Sequence, residues 1–158
     1  MSSQEPAEQL HLTKEWFDRS SRCLTEEDSN YRPEAKAMSV AQQVAHVAQT
    51  VDWFIEGAFR PEGFGMDFEA AAKEIMKVKS LAEARAWADR SFAAAAEVLG
   101  SKSEEELMVL LPEGPIKGGM PRIAIVGAIQ DHTAHHRGAL TVYSRMCGHT
   151  AAMPYMEM

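Results

Sequence analysis

The sequence predicts an all-α fold, a four-helix bundle. Three observations carry this. Apolar residues recur with helical spacing over four long segments, helix start and stop signals bracket those segments, and no stretch of useful length alternates with period two. A short extra helical segment is expected before the third long helix, and an irregular loop before the fourth. The chain has 158 residues. That is the size of one domain with a proper core, so residues 1–158 are read as a single domain.

The first helix is expected over residues 5–24, where Leu10, Phe17 and Leu24 repeat every seven positions. Residues 25–37, with Asp28, Asn30 and Pro33, read as a loop. Ser39 is the N-cap of the second helix, and Gln42 completes a capping box. That helix runs to Phe59, and Pro61 and Gly63 stop it. The third helix comes in two pieces. A short one covers residues 68–77. A longer one starts at the capping box Ser80-Leu81-Ala82-Glu83 and ends at Leu99, with Gly100 as the terminating residue. Residues 107–111 form an apolar, strand-like run before Pro112 and Gly114. The fourth helix is expected to start at Pro121, a residue favoured at the first helical position, and to end at Cys147 with Gly148 as its cap.

Composition narrows the function classes. Net charge is −7 and the basic residues are scattered, which argues against a nucleic-acid partner. No apolar run is long enough to span a bilayer, so no membrane association is expected. Residues 1–12 are polar and acidic and lack the basic and apolar regions of a secretion signal, so the expectation is cytoplasmic. In that compartment Cys23 and Cys147 are not expected to form a disulfide and read as small buried hydrophobes. Ten methionines suggest an adaptable interior or pocket lining.

The run His132-Thr133-Ala134-His135-His136 is the most informative stretch. His is a middling helix former, so helix propensity does not explain three of them. His132 and His136 are one turn apart and leave the same face, the spacing with which a helix gives two imidazoles to one metal ion. At about 100° per residue, Ile125, Ile129, His132, His136, Ala139, Tyr143 and Cys147 fall on one stripe. The two histidines straddle its centre. His135 lies to the side, a rim residue and a weak candidate for acid/base work. Arg137 points away from the stripe and reads as part of a surface or interhelix ion pair. Gly138, costly inside a helix, implies close approach of a neighbouring element. Helix two offers a third imidazole, His46. It shares a face with Ser39, Gln42, Gln43, Thr50 and Trp53, a mixture that suits a pocket wall better than a dry core.

Two motifs then resemble a known family. The stretch Val40-Ala41-Gln42-Gln43-Val44-Ala45-His46-Val47-Ala48 is similar to the histidine-bearing helix of the DinB-like (damage-inducible) metal-binding superfamily. Asp131-His132-Thr133-Ala134-His135-His136-Arg137-Gly138 resembles its second motif, His-x-x-x-His followed by Arg-Gly. Helix order and length extend the likeness over nearly the whole chain. The resemblance implies a four-helix bundle holding one divalent metal, often zinc or nickel, at His46, His132 and His136, and a homodimer. The family often has Gln or Glu where this chain has Ala139, so one polar group is missing near the site. Its known activities include thiol transfer and isomerisation dependent on a low-molecular-weight thiol.

Three functional readings follow. One is a metal-dependent transferase that adds a low-molecular-weight thiol, as cosubstrate, to an electrophilic small-molecule substrate. The second is a metal-dependent hydrolase acting through a bound hydroxide. The third is a non-enzymatic, stress-related metal-binding bundle. A hydrolase usually needs a carboxylate base. Asp131 is off the stripe, and Asp52 and Glu56 lie to the side of, or opposite, His46. That favours the transferase.

Overall fold

The computed structural model describes residues 4–158; residues 1–3, part of the acidic N-terminal stretch, lie outside that range. Six α-helices follow one another: α1 (Glu5–Ser21), α2 (Val40–Phe59), α3 (Phe68–Met76), α4 (Leu81–Ser101), α5 (Glu104–Met108) and α6 (Ala124–Met146). Among the described residues there is no strand, only an isolated bridge between Leu110 and Pro121. None of these helices is long and apolar enough to cross a membrane.

The four long helices form the bundle in the cyclic order α1, α4, α2, α6. Named contacts fix their directions. Arg85, near the start of α4, donates to the Ser21 carbonyl at the end of α1, so this pair is antiparallel. Arg122, just before α6, donates to the Ala58 carbonyl near the end of α2, so that pair is antiparallel too. His149, just past α6, reaches Asp28, just past α1. Helices α2 and α4 therefore run the same way side by side. A parallel pair needs a crossover connection, and α3 lies in it, packed against α2. Leu10, Phe17, Val44, Val47, Leu99, Ile125, Ile129 and Leu140 bury completely, or nearly so, in the shared core.

Helix α2 forms as its sequence signals require. Ser39 Oγ accepts from the Gln42 backbone and the Gln42 side chain accepts from the Ser39 backbone, closing the box at 3.3 and 3.0 Å. Gly63 takes φ +70° in the turn beyond its end. Other boundaries moved for identifiable reasons. Helix α1 stops at Ser21, and Leu24 enters the core from the following turn. Gly100 lies inside α4 rather than after it, where a Cβ would stand 3.8 Å from that of Ala7 in α1. Ser80 accepts from the Glu83 backbone, but the box is completed from elsewhere. Glu26 accepts from the Ala82 N–H and Ser29 from the Leu81 N–H. Ser103 and Glu106 form a capping box that starts α5, a helix the sequence reading passed over. Only beyond Met108 is the chain extended. There Leu111 N–H donates to the Met120 carbonyl and Arg122 N–H to the Val109 carbonyl. That pairing uses Pro121, so α6 begins three residues later, at Ala124. It ends at Met146, with Gly148 at φ +85° as the expected cap.

Two helical glycines make a test of this packing. A Cβ on Gly57 would sit 2.1 Å from a Phe64 ring carbon, whereas one on Gly127 would meet nothing within 4 Å. Gly57→Ala should destabilise by about 1–3 kcal/mol through overpacking. Gly127→Ala should stabilise by about 0.5–1 kcal/mol. Urea denaturation of both variants checks the opposite signs.

Candidate metal centre

Helix α6 turns its buried side toward the bundle axis, and that side carries Ile125, Val126, Ile129, Thr133, His136, Leu140, Tyr143 and Ser144. The centre is about 50° away from the one the sequence stripe implied. His136 is therefore buried at 6% exposure, while His132 stands half-buried at the edge of the core. His46 of α2 is half-buried opposite them. The antiparallel packing of α2 on α6 brings these three imidazoles together. Their ligating nitrogens all lie within 4.8 Å of one another. His132 Nε2 is 3.2 Å from His46 Nε2 and 3.2 Å from His136 Nε2. His135 is exposed; its ring meets the edge of His136 with centroids 4.9 Å apart and is outside the convergent set.

The hydrogen bonds behind the rings decide which nitrogen carries a proton. Tyr143 Oη donates to the Met38 carbonyl at 3.0 Å, so it must accept from Gln43 Nε2 at 3.3 Å. The other end of that amide, Gln43 Oε1, then accepts a short hydrogen bond from His136 Nδ1. The proton of His136 is on Nδ1, and Nε2 presents a lone pair. Beside His46, Gln49 Nε2 donates to the Ala71 carbonyl at 3.0 Å and to Glu74 at 2.7 Å, so the oxygen of that amide is the end that can accept an imidazole N–H. With His46 Nε2 facing His132, Nδ1 is the nitrogen left to donate, and Nε2 then presents a lone pair. Two lone pairs thus point at His132 Nε2. A single N–H there cannot serve both with good geometry. Thr50 Oγ1, 3.4 Å from His132 Nε2, can offer that atom a proton if it too is a lone pair.

A divalent cation resolves this arrangement. Ligating nitrogens about 2.0–2.1 Å from a zinc-like ion stand roughly 2.8–3.4 Å apart for octahedral to tetrahedral angles, and 3.2 Å falls within that span. The residues present fit a three-histidine metal site. Burial, and then the neighbouring rings, push His132 down to about 4 and His136 down to about 3. Burial also lowers His46. All three rings are neutral near pH 7, the form a metal needs.

The roles of Gln43 and Tyr143 were not anticipated. Both sat on the expected faces, but helical spacing does not show that one amide spans the gap between α2 and α6. Among the described residues Arg137 makes no acidic contact of the kind expected. It donates to Tyr155 Oη at 3.0 Å and lies over the rings of Trp16 and Tyr155. Gly138, expected at a close approach, has nothing within 4 Å of where its Cβ would be. Cys23 and Cys147 are free and only half-buried, and burial followed by Asp28 pushes the Cys147 thiol up.

Beside the histidines lies a cleft of about 620 Å³ between α2, α3 and the turn joining them. Glu56, placed to the side by the sequence, is on its wall.

No curated protein matches this chain at a significant level. The family model described as DinB family matches residues 9–158. With the helical bundle and the three-histidine cluster both in place, the chain belongs to the DinB family.

Proposed function

We propose that this protein binds one divalent metal ion, zinc or nickel, through His46, His132 and His136. We further propose that, as one domain of a homodimer, it transfers a low-molecular-weight thiol to an electrophilic small molecule. The observation that carries the metal reading is the convergence of the His46, His132 and His136 ring nitrogens, with buried Gln43 accepting from Nδ1 of His136 so that its Nε2 faces the other two. When bound, the metal would supply Lewis acidity that makes a thiol or a water give up its proton more readily.

The surrounding side chains favour thiol transfer over hydrolysis. A general base must be free to take a proton. The two carboxylates lining the cleft are engaged: Glu56 pairs with Arg60 at 2.7 Å, and Asp67 accepts from the Ala70 N–H at 2.9 Å. Thr50 lines the same cleft next to His132 and can orient an incoming group through its hydroxyl. A thiol nucleophile asks for less machinery, because activation needs only the loss of its own proton.

Gly138 supports the dimer. Its helix face carries exposed Val142 and Met146, at 59% and 64%, and among the described residues nothing comes within 4 Å of where a Gly138 Cβ would be. A second copy supplies the neighbour that a helical glycine admits. Gly138→Arg should shift sedimentation from dimer to monomer with metal content unchanged; a wild-type monomer would refute this part.

Two further outcomes test the reading. His136→Ala should abolish stoichiometric metal while the far-ultraviolet spectrum stays helical, because the apolar core rather than the ion holds the bundle. Gln43→Leu should keep the three ligands yet weaken metal binding about 10–100-fold, as loss of an orienting partner does. Isothermal titration with zinc measures both. Cobalt-substituted protein tests the chemistry: small thiols should add a charge-transfer band, and electrophile consumption should require both thiol and metal. Ester hydrolysis at full rate without thiol, with no spectral change on adding it, would establish the hydrolase instead.

A further inference from the structure

The histidines account for activation; the cleft beside them accounts for selection. His46 and His132 line one end of the cleft, while His136 lies behind them, outside its wall. The remaining wall is mostly apolar. Trp53 donates its indole N–H to the Gly65 carbonyl at 2.7 Å, so its one polar atom is satisfied and the ring offers apolar surface. Phe54 and Phe68 stand against it, with ring centroids 5.0 and 6.0 Å from that of Trp53. Across from them, Ile75 and Met76 extend the apolar wall along α3.

Two features of this wall point to a ligand. Phe68 and Met76 are 56% and 68% exposed while lining the cleft, so large apolar surface lies open to water next to a concave site. The charges are settled without a ligand. Arg60 is the one Lys or Arg among the lining residues, and it already donates to Glu56 and to the Gly63 carbonyl. Among the described residues no unpaired cation is left in the wall to bind a substrate anion.

We propose that the cleft takes an uncharged, largely apolar substrate with aromatic character, stacked on Trp53 and Phe68 with its reactive end toward His46 and His132. The inference that this molecule is the substrate, rather than only a ligand, rests on the metal reading above. A cavity of about 620 Å³ holds a molecule on the order of 20 non-hydrogen atoms. Trp53 and Phe68 are then specificity-determining residues, and α3 is the wall that covers the bound molecule.

N-phenylnaphthylamine, an uncharged aromatic probe, tests this by fluorescence titration of both zinc-loaded and metal-free protein. Equimolar binding with enhanced emission is expected in both forms. Ala72→Trp, which fills the cleft from the exposed side of α3, should weaken it about tenfold or more, the scale on which an apolar pocket discriminates. Phe68→Ser should weaken it in the same direction, and both variants should keep their zinc stoichiometry and helicity. The sulfonated analogue of the probe should bind the metal-free protein far more weakly. Absent binding, binding unaffected by either variant, or equal affinity for the sulfonated probe would overturn the inference. Probe binding without zinc binding would refute the metal reading alone, and zinc binding without probe binding would refute the cleft assignment alone.

Discussion

The short hydrogen bond between Gln43 and His136 is the interaction on which the reading of this site depends. It is the end of a chain whose sense is fixed by a backbone carbonyl, that of Met38, which can only accept. The carbonyl orients Tyr143, Tyr143 orients the Gln43 amide, and the amide places the His136 proton on Nδ1. Each step follows from donor and acceptor counts. Beside His46, Gln49 is itself fixed by partners from α3, with its oxygen as the end that can accept an imidazole N–H. Buried and half-buried polar groups arranged in this way are costly unless the lone pairs they create find a partner. A cation is the partner that satisfies all three at once.

The helix order makes the site and its entrance adjacent. Because α2 and α4 run in parallel, the chain must cross back between them, and α3 lies in that crossing. The same α3 backbone that accepts from Gln49 at Ala71 also carries Phe68, Ile75 and Met76 along the cleft. Movement of α3 would thus alter both the wall of the cleft and the second hydrogen-bond shell of His46. The aromatic packing around Trp53 ties the near end of α3 to α2, and Gly57 makes room for Phe64 within it.

Much of this was legible in the residues. Ser39 with Gln42 set the start of α2, and of the mixed face around His46, Gln42, Thr50 and Trp53 line the cleft while Ser39 and Gln43 are buried away from it. The i, i+4 spacing brought His132 and His136 to one side of α6. What was not legible depended on partners far away in sequence. The buried centre of α6 is rotated toward Thr133 and Leu140, because the positions of α1 and α2, and not the helix alone, decide which stripe is covered. Pro121 carried a helix-start signal but was used in a bridge to Leu110. Glu83 carried half of a capping box, but Glu26 and Ser29 from the preceding loop complete the capping. Gln43 and Tyr143 are ordinary helix residues until α2 and α6 are laid together, when they span the gap behind His136.

The central claim is that His46 and His136 are held, before any ion arrives, with protons on Nδ1 and lone pairs on Nε2. Long-range nitrogen–proton correlation of the imidazole rings in metal-free protein near pH 7 reads this directly. The account predicts Nδ1–H tautomers for both residues, with zinc then shifting the Nε2 resonances of His46, His132 and His136 together. An Nε2–H tautomer at His46 or His136, unchanged when zinc is added, would contradict it.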